Sequence, residues 1–515
     1  MAEARPFSAL GRRANLTDLA DTELDVLVIG GGITGAGVAL QATQRGYRVG
    51  LVEARDFAAG TSSRSSKLVH GGIRYLGQGE LGLVHEALQE RRRLIELFPA
   101  LVAPIPFLMP IPRRLDQATT LMAGFWTYDL LSLGSGFPRH RRVSVATARQ
   151  MAPALQRSDI RGAWKYWDAQ TDDARLTVEV VRRAAAAGAL VANYATLTRA
   201  ERLGDRWRVD VRDEASGHSL TVTSRFLVNA GGVWTEQIEG LTGRRATTHI
   251  RPSKGVHISF ASSSLPIETA LIFPVGDGRV LFAVPWHGHV VVGTTDNDYE
   301  GDIVSPVCTP EEEADLLRAV NRFFDLDLHA DTVLSRWAGV RPLVTTAKSG
   351  SNKVSTKDLS RKPLIELDLA GLLTVTGGKL TTFWRMAEAA LQLLPKPRFL
   401  DAVVDSSAPA TAPVSAPRPR ADGDAVELPG EAGYTVGDVR QACEDGMAME
   451  LEDALSRRLR LSFVDVAAAA AAAPAAARVM AELLGWTDSG PHVDRFHRHL
   501  HREFAGPLPA SLVEA

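Results

Sequence analysis

At 515 residues the chain is longer than one hydrophobic core organises, so two or three domains are expected. Its 58 basic and 60 acidic residues nearly cancel, to a net charge of -2, which speaks against bulk nucleic-acid binding with its basic surplus. The two cysteines, Cys308 and Cys443, form neither a disulfide framework nor a zinc spacing, and suit a reducing cytoplasm.

The opening segment MAEARPFSALGRRANL has no apolar run of secretory length. No uninterrupted apolar stretch of about 18 residues predicts a transmembrane helix, so any membrane contact is expected to be peripheral. DVLVIG (25–30) then reads as a buried strand, helix-period residues run to Gln44, Gly46 caps that helix, and YRVGLVE forms a second strand. This β-α-β succession has the length of a parallel crossover. A helix, a cap at Gly188 and a strand return over 176–197, and RFLVNAGG (225–232) is a strand ending in glycines.

Between 271 and 295 the pattern changes to LIFPV, RVLFAVPW and VVVGTT separated by tight turns: three antiparallel strands inside the chain, hence an inserted β-rich domain. GLLTVTGGKLTTFWRMAEAALQLL (371–394) is strand, glycine turn and helix. Residues 405–423, rich in Pro, Ala and Ser, form a linker, and 435–504 is helical in character without a catalytic constellation.

Gly30-Gly31-Gly32-Ile33-Thr34-Gly35 matches G-x-G-x-x-G. Gly30 allows the tight turn, Gly32 lets the backbone approach a pyrophosphate, and Gly35 permits close helix–strand packing. The helix N-terminus turns its free N–H groups towards the phosphates. Glu53 closes the second strand about 20 residues on, placed to accept from ribose hydroxyls. An acid here disfavours NADP, but the unit alone leaves FAD and NAD open.

Directly after it, GTSSRSSKLVHGGIRYL (60–76) concentrates hydroxyls, glycines, Lys67, His70, Arg74 and Tyr75, a segment able to line a long cofactor. With GGGITGAG, TDDARL, KGVH, GTTD, GVRPL and TGGKLTT following in the same order, the sequence from about Asp25 to Glu388 resembles the FAD-dependent glycerol-3-phosphate dehydrogenases. GMAMELEDALSRRLRLSFVD (446–465) resembles that family's C-terminal helical domain. NAGGVW (229–234) departs from it with glycine where many relatives carry threonine, and KGVH with valine where many carry serine.

The resemblance implies an α/β plus α+β fold. Its parts are a discontinuous Rossmann-like FAD-binding domain (23–77, 165–240 and 336–395), an inserted antiparallel-sheet substrate domain (78–164 and 241–335), a linker (396–430) and a C-terminal helical domain (431–505). It implies non-covalent FAD, held by Gly30, Gly32, Gly35, Glu53, Thr61, Ser62, Ser66, Lys67, His70, Gly71, Gly72, Ala230, Gly231, Gly378, Lys379, Leu380 and Thr381. It further implies peripheral attachment to the inner face of the cell membrane and electron delivery to quinone, with no metal.

Sn-glycerol 3-phosphate is a secondary alcohol carrying a phosphate dianion. Its oxidation to dihydroxyacetone phosphate needs cations for the phosphate, a base for the C2 hydroxyl and flavin N5 as hydride acceptor. Arg74 and Arg341 are assigned to substrate, since a guanidinium fork binds two phosphate oxygens. His257 is the candidate base, with His70 its rival. Lys379 is placed to neutralise the reduced flavin, and Tyr75 to hydrogen-bond the substrate or pack on the flavin. Thr294, Thr295 and Asp296 are equally a strand-ending turn or part of the site, while Asp172 and Asp173 are assigned to helix capping. The apolar run ending at Arg113 and Arg114, with RHRR at 139–142, reads equally as an interfacial surface or a buried wall.

An oxygen-using glycerol-3-phosphate oxidase would carry the same motifs. A flavin amine or amino-acid oxidase on a similar fold, and a non-catalytic nucleotide module, complete the alternatives. Oligomeric state, a homodimer included, is open.

Overall fold

The computed structural model describes residues 6–72, 80–112, 127–128, 137–243, 248–276, 279–345, 362–397, 424–430 and 433–504. One sheet is built on the β-α-β unit, in the strand order 364–367, 372–376, 219–229, 23–29, 49–52, 190–192. Glu23–Ile29 pairs in parallel with Ser219–Asn229 and Val49–Val52, and Leu372–Thr376 and Leu190–Ala192 extend the parallel run outward. Such strands are covered on both faces, which is why 26–29 is uniformly apolar and buried instead of alternating. The Ile33–Gln44 helix lies in this layer and is buried nearly all round. A Cβ on Gly37 would sit 2.7 Å from the Phe383 ring, so glycine lets the Phe383–Gln392 helix pack against it.

The second sheet has the order 297–298, 249–261, 289–293, 279–286, 270–276, 102–112, 160–171, 68–69. The three expected antiparallel strands are Ala270–Gly276, Arg279–Trp286 and His289–Gly293. Two expected boundaries differ. Ile160–Thr171 pairs with Val102–Pro112, and Ser335–Thr345 with His249–Ala261, so both strands belong entirely to this sheet. Boundaries at 165 and 336 cut through them, because long antiparallel pairing with sequence-distant partners leaves no local mark.

The linker 405–423 lies outside the described residues. Beyond it, Val436–Glu444, Leu461–Val464, Val466–Leu484 and Gly490–Glu503 form the helical unit. Its core takes in Trp286 and Trp337 from the second sheet, so it packs on that sheet's back. Val466–Leu484 is long and apolar enough to cross a membrane by length and composition. Here it runs on through Pro474 as the centre of the unit's core, with Ala469, Ala472, Ala473, Ala476, Ala477 and Met480 fully buried.

The unit is also tied to the first sheet by buried charge. Asp56, three residues past Glu53, is fully buried and accepts from Arg457 Nε at 2.6 Å and from Arg458 Nη1 and Nη2 at 2.7 and 2.8 Å. These two guanidiniums hold its carboxyl below the usual range against the opposing effect of burial. Asp56→Ala leaves both arginines without that counter-charge, and a broken buried pair costs about 3–5 kcal/mol. The variant is expected to melt several degrees below wild type in differential scanning calorimetry.

Candidate functional site

A cavity of ≈ 550 Å³ runs from the glycine loop, between the two sheets, to the strands around His257. At its first end the glycines are held in place by backbone contacts. Gly30 has φ +111, and a Cβ there would lie 2.6 Å from the Ala230 carbonyl oxygen. A Cβ on Gly35 would meet the Gly30 carbonyl oxygen at 2.0 Å, so Gly35 is a packing residue behind the loop and does not line the cavity. Gly32 caps the helix and faces the cavity, with Ser62 Oγ nearest to where a Cβ would be.

Both Glu53 oxygens accept backbone N–H groups, from Gly31 at 2.6 Å and Arg55 at 2.9 Å. Burial pushes its carboxyl pKa up while these donors pull it down. Each oxygen retains acceptor capacity towards the cavity, as a ribose diol requires. Ser62 Oγ accepts from Ile33 N at 2.9 Å, which joins the 60–72 segment to the helix start.

Along the wall, Thr61, Ser62, Ser66, His70, Ala230, Gly231, Gly378, Lys379, Leu380 and Thr381 line the cavity, as do Arg64 and Ser65. Thr61 Oγ1 donates to the Val340 carbonyl at 2.5 Å and so locks this segment to the second sheet. Lys67 does not line it. Its side chain is fully buried, donating to Ser63 O at 2.7 Å and to both Asp173 oxygens at 3.0 and 3.1 Å. The expected cofactor contact is therefore replaced by a structural ion pair. Gly71 and Gly72 also stand behind the wall: Gly71 N donates to Asp168, and a Cβ on Gly71 would strike Tyr128. Arg74 and Tyr75 lie outside the described residues.

At the far end His257, Arg341 and Thr294 line the cavity, which Lys379 lines as well. The Arg341 guanidinium pairs with Asp296 at 3.2 Å and donates to Thr294 Oγ1 at 3.2 Å. Asp296 also accepts from Ser253 Oγ at 2.5 Å. The 294–296 segment is thus part of the site. His257 is 2% exposed, stacks on Trp337 with ring centroids 5.2 Å apart, and shares a 2.9 Å hydrogen bond between Nε2 and Ser66 Oγ. Its Nδ1 is buried without a hydrogen-bond partner among the described residues. Burial, then the cations Lys67 and Arg341, depress its pKa well below the ordinary value, so the ring is neutral at pH 7. Lys254, its neighbour in KGVH, turns away to Glu312 at 2.8 Å.

The site depends on three strand glycines that motif reading passed over. A Cβ on Gly293 would lie 2.3 Å from His257 Cδ2, one on Gly255 2.5 Å from Arg341 Nη2, and one on Gly339 2.7 Å from the Arg64 carbonyl. Glycine inside a strand marks such close approach, and that was the signal available. Arg64, buried and reaching Ala338 O at 3.2 Å and the Glu503 carboxylate, could not be told from a surface arginine by sequence.

A glycine cradle with an acidic ribose partner, opening into a cavity with a neutral imidazole and two cations, defines an FAD-dependent oxidoreductase. Residues 25–393 match the FAD dependent oxidoreductase family, and 407–490 the C-terminal domain of alpha-glycerophosphate oxidase. A glycerol-3-phosphate dehydrogenase of Mycobacterium leprae is 36% identical over 94% of this chain and 89% of its own. Glycerol-3-phosphate dehydrogenase 2 of Mycobacterium tuberculosis is 40% identical over 76% of this chain and 67% of its own. The crystal structure of the Bacillus halodurans glycerol-3-phosphate dehydrogenase complexed with FAD superposes with a TM-score of 0.74 at 28% identity, covering 96% of this chain and 98% of that one. The chain belongs to the glycerol-3-phosphate dehydrogenase family of FAD-dependent oxidoreductases, and its cofactor is FAD.

Gly35→Ala places a methyl group against the Gly30 carbonyl. Overpacking of this kind costs about 1–3 kcal/mol of stability. The variant is expected to melt below wild type in differential scanning calorimetry with the far-UV circular dichroism unchanged.

Proposed function

We propose that the protein oxidises sn-glycerol 3-phosphate to dihydroxyacetone phosphate and passes the electrons to a membrane quinone. The observation that carries the substrate reading is the Arg341 guanidinium next to the neutral His257 imidazole, in a cavity that Lys379 also lines. The names borne by its relatives support it. FAD, when bound, supplies the two-electron acceptor.

Arg341, anchored by Asp296, Thr294 and the Thr295 carbonyl, sets its positive charge against the phosphate. Lys379, at the turn after Gly377 and Gly378, adds a second positive charge. His257 takes the C2 hydroxyl proton, its imidazole held in place by the hydrogen bond between Nε2 and Ser66 Oγ. Its depressed pKa keeps the imidazole neutral at pH 7, and the arriving dianion offsets the Arg341 charge and strengthens the ring as a base.

Anaerobic addition of sn-glycerol 3-phosphate to the yellow holoprotein is expected to bleach the visible flavin band. An unbleached spectrum overturns the reading. His257→Ala is expected to lower the limiting reduction rate about 100-fold or more with substrate affinity nearly kept. Arg341→Ala is expected to weaken substrate binding about 30-fold or more with FAD retained. The relationship of the terminal unit to an oxidase keeps oxygen as the second acceptor. Peroxide formed at the turnover rate would select it over quinone.

For the peripheral membrane reading, the supporting feature is a basic edge on the second sheet. Arg139, Arg141 and Arg142 are exposed there, Arg141 paired in register with Lys165 and His140 packed on Trp164. Arg113 and Arg114 lie outside the described residues. Reversing the charges at 139, 141 and 142 is expected to abolish flotation with anionic liposomes, and unchanged flotation removes this edge from the reading.

A further inference from the structure

Behind the His257 wall, three distant parts of the chain meet in a buried charge cluster. Asp173 Oδ2 accepts from Ser65 N at 2.9 Å, Ser65 Oγ at 2.7 Å and Lys67 Nζ at 3.0 Å. Asp173 Oδ1 accepts from Ala174 N at 2.9 Å and from Arg460 Nη2 at 2.8 Å. Arg460 comes from the C-terminal helical unit, is fully buried, and also reaches Ser63 O at 2.9 Å and Asp172 at 3.3 Å. The cluster thus grips the Ser63–Lys67 turn at several points. Ser66, at the centre of that turn, holds His257 Nε2.

A second contact runs alongside. Phe463, from the same helical unit, lies edge-on to Trp337 at 5.3 Å, and His257 stacks on Trp337. Lys67 and Arg460 both adopt left-handed backbone, with φ +62 and +68, a conformation that non-glycine residues hold only where their surroundings fix it. Without Arg460, Lys67 is left as the one cation in contact with Asp173 among the described residues, and the turn loses one of its holds.

We propose that Arg460 is a positioning residue for His257: from the C-terminal helical unit it fixes Asp173, Asp173 fixes the Ser65–Ser66 turn, and Ser66 fixes the imidazole. The arrangement makes the terminal unit a working part of the active site. Burial pulls the Lys67 ammonium down to about 7 against the upward pull of Asp173, so loss of Arg460 also alters the charge that His257 faces from behind.

This rests on the proposed reaction, and the test separates the two. Stopped-flow anaerobic reduction by sn-glycerol 3-phosphate is measured for wild type, Arg460→Met, Arg460→Lys, Ser66→Ala and the Arg460→Met/Ser66→Ala double variant. Arg460→Met is expected to keep FAD and substrate affinity while the limiting rate falls about tenfold to a hundredfold. Arg460→Lys is expected to recover most of it. On the Ser66→Ala background, Arg460→Met is expected to cost little more, because the link is already cut.

The histidine imidazole NMR signal missing from His257→Asn gives a readout independent of turnover. It is expected to move in Arg460→Met apoprotein. The proposal is overturned by equal losses on both backgrounds, by a loss confined to FAD or substrate affinity, or by an unmoved His257 signal. Should Arg460→Met not fold, Ser66→Ala cuts the same route at its last link, and a wild-type reduction rate in that variant overturns the proposal. Wild-type flavin that the substrate does not bleach overturns the reaction and this inference together.

Discussion

The buried carboxylate of Asp173 is the contact on which the rest of the site hangs. A charge removed from water is tolerated only when hydrogen bonds and counter-charges replace its hydration. Asp173 obtains them from the flavin-site turn and from Arg460, while its own helix supplies the Ala174 N–H. Satisfying that one group therefore brings the first sheet's helix, the 60–72 segment and the terminal unit to a common point. Asp56 does the same a short way off, with Arg457 and Arg458.

The second constraint is steric. Around the cavity, backbone and side chain approach too closely for a Cβ at several glycines: Gly30 and Gly35 at the nucleotide end, Gly255, Gly293 and Gly339 at the substrate end. In each case a methyl group would overlap a carbonyl, an imidazole or a guanidinium. Charge draws the pieces together and absent Cβ atoms let them close. Between the two, His257 ends up dry, stacked and neutral beside cations that suit an anionic substrate.

The glycine loop, Glu53 and the three antiparallel strands were legible because each is local: turn, periodicity and cap sit within a few residues of one another. His257, Arg341 and Lys379 were legible only as members of recognised motifs, since a lone histidine or arginine carries no sign of its environment. Lys67, Gly71 and Gly72 look like cofactor contacts in the sequence because they sit among residues that line the cavity. A cation in a hydroxyl-rich loop looks the same whether it faces a ligand or, as here, a carboxylate from another part of the chain. The helix capping that the sequence assigns to Asp173 hides its larger role for the same reason.

The sequence by itself determined the parallel β-α-β unit, its dinucleotide preference and the inserted β-rich region, because backbone geometry and apolar periodicity are short-range properties. Tertiary structure alone decided which sheet Ile160–Thr171 and Ser335–Thr345 join, which charges face the cavity and which are spent inside the protein, and that the terminal helices stand directly behind His257. These are set by desolvation and by pairing between residues tens to hundreds of positions apart, and neither leaves a trace in the local order of residues.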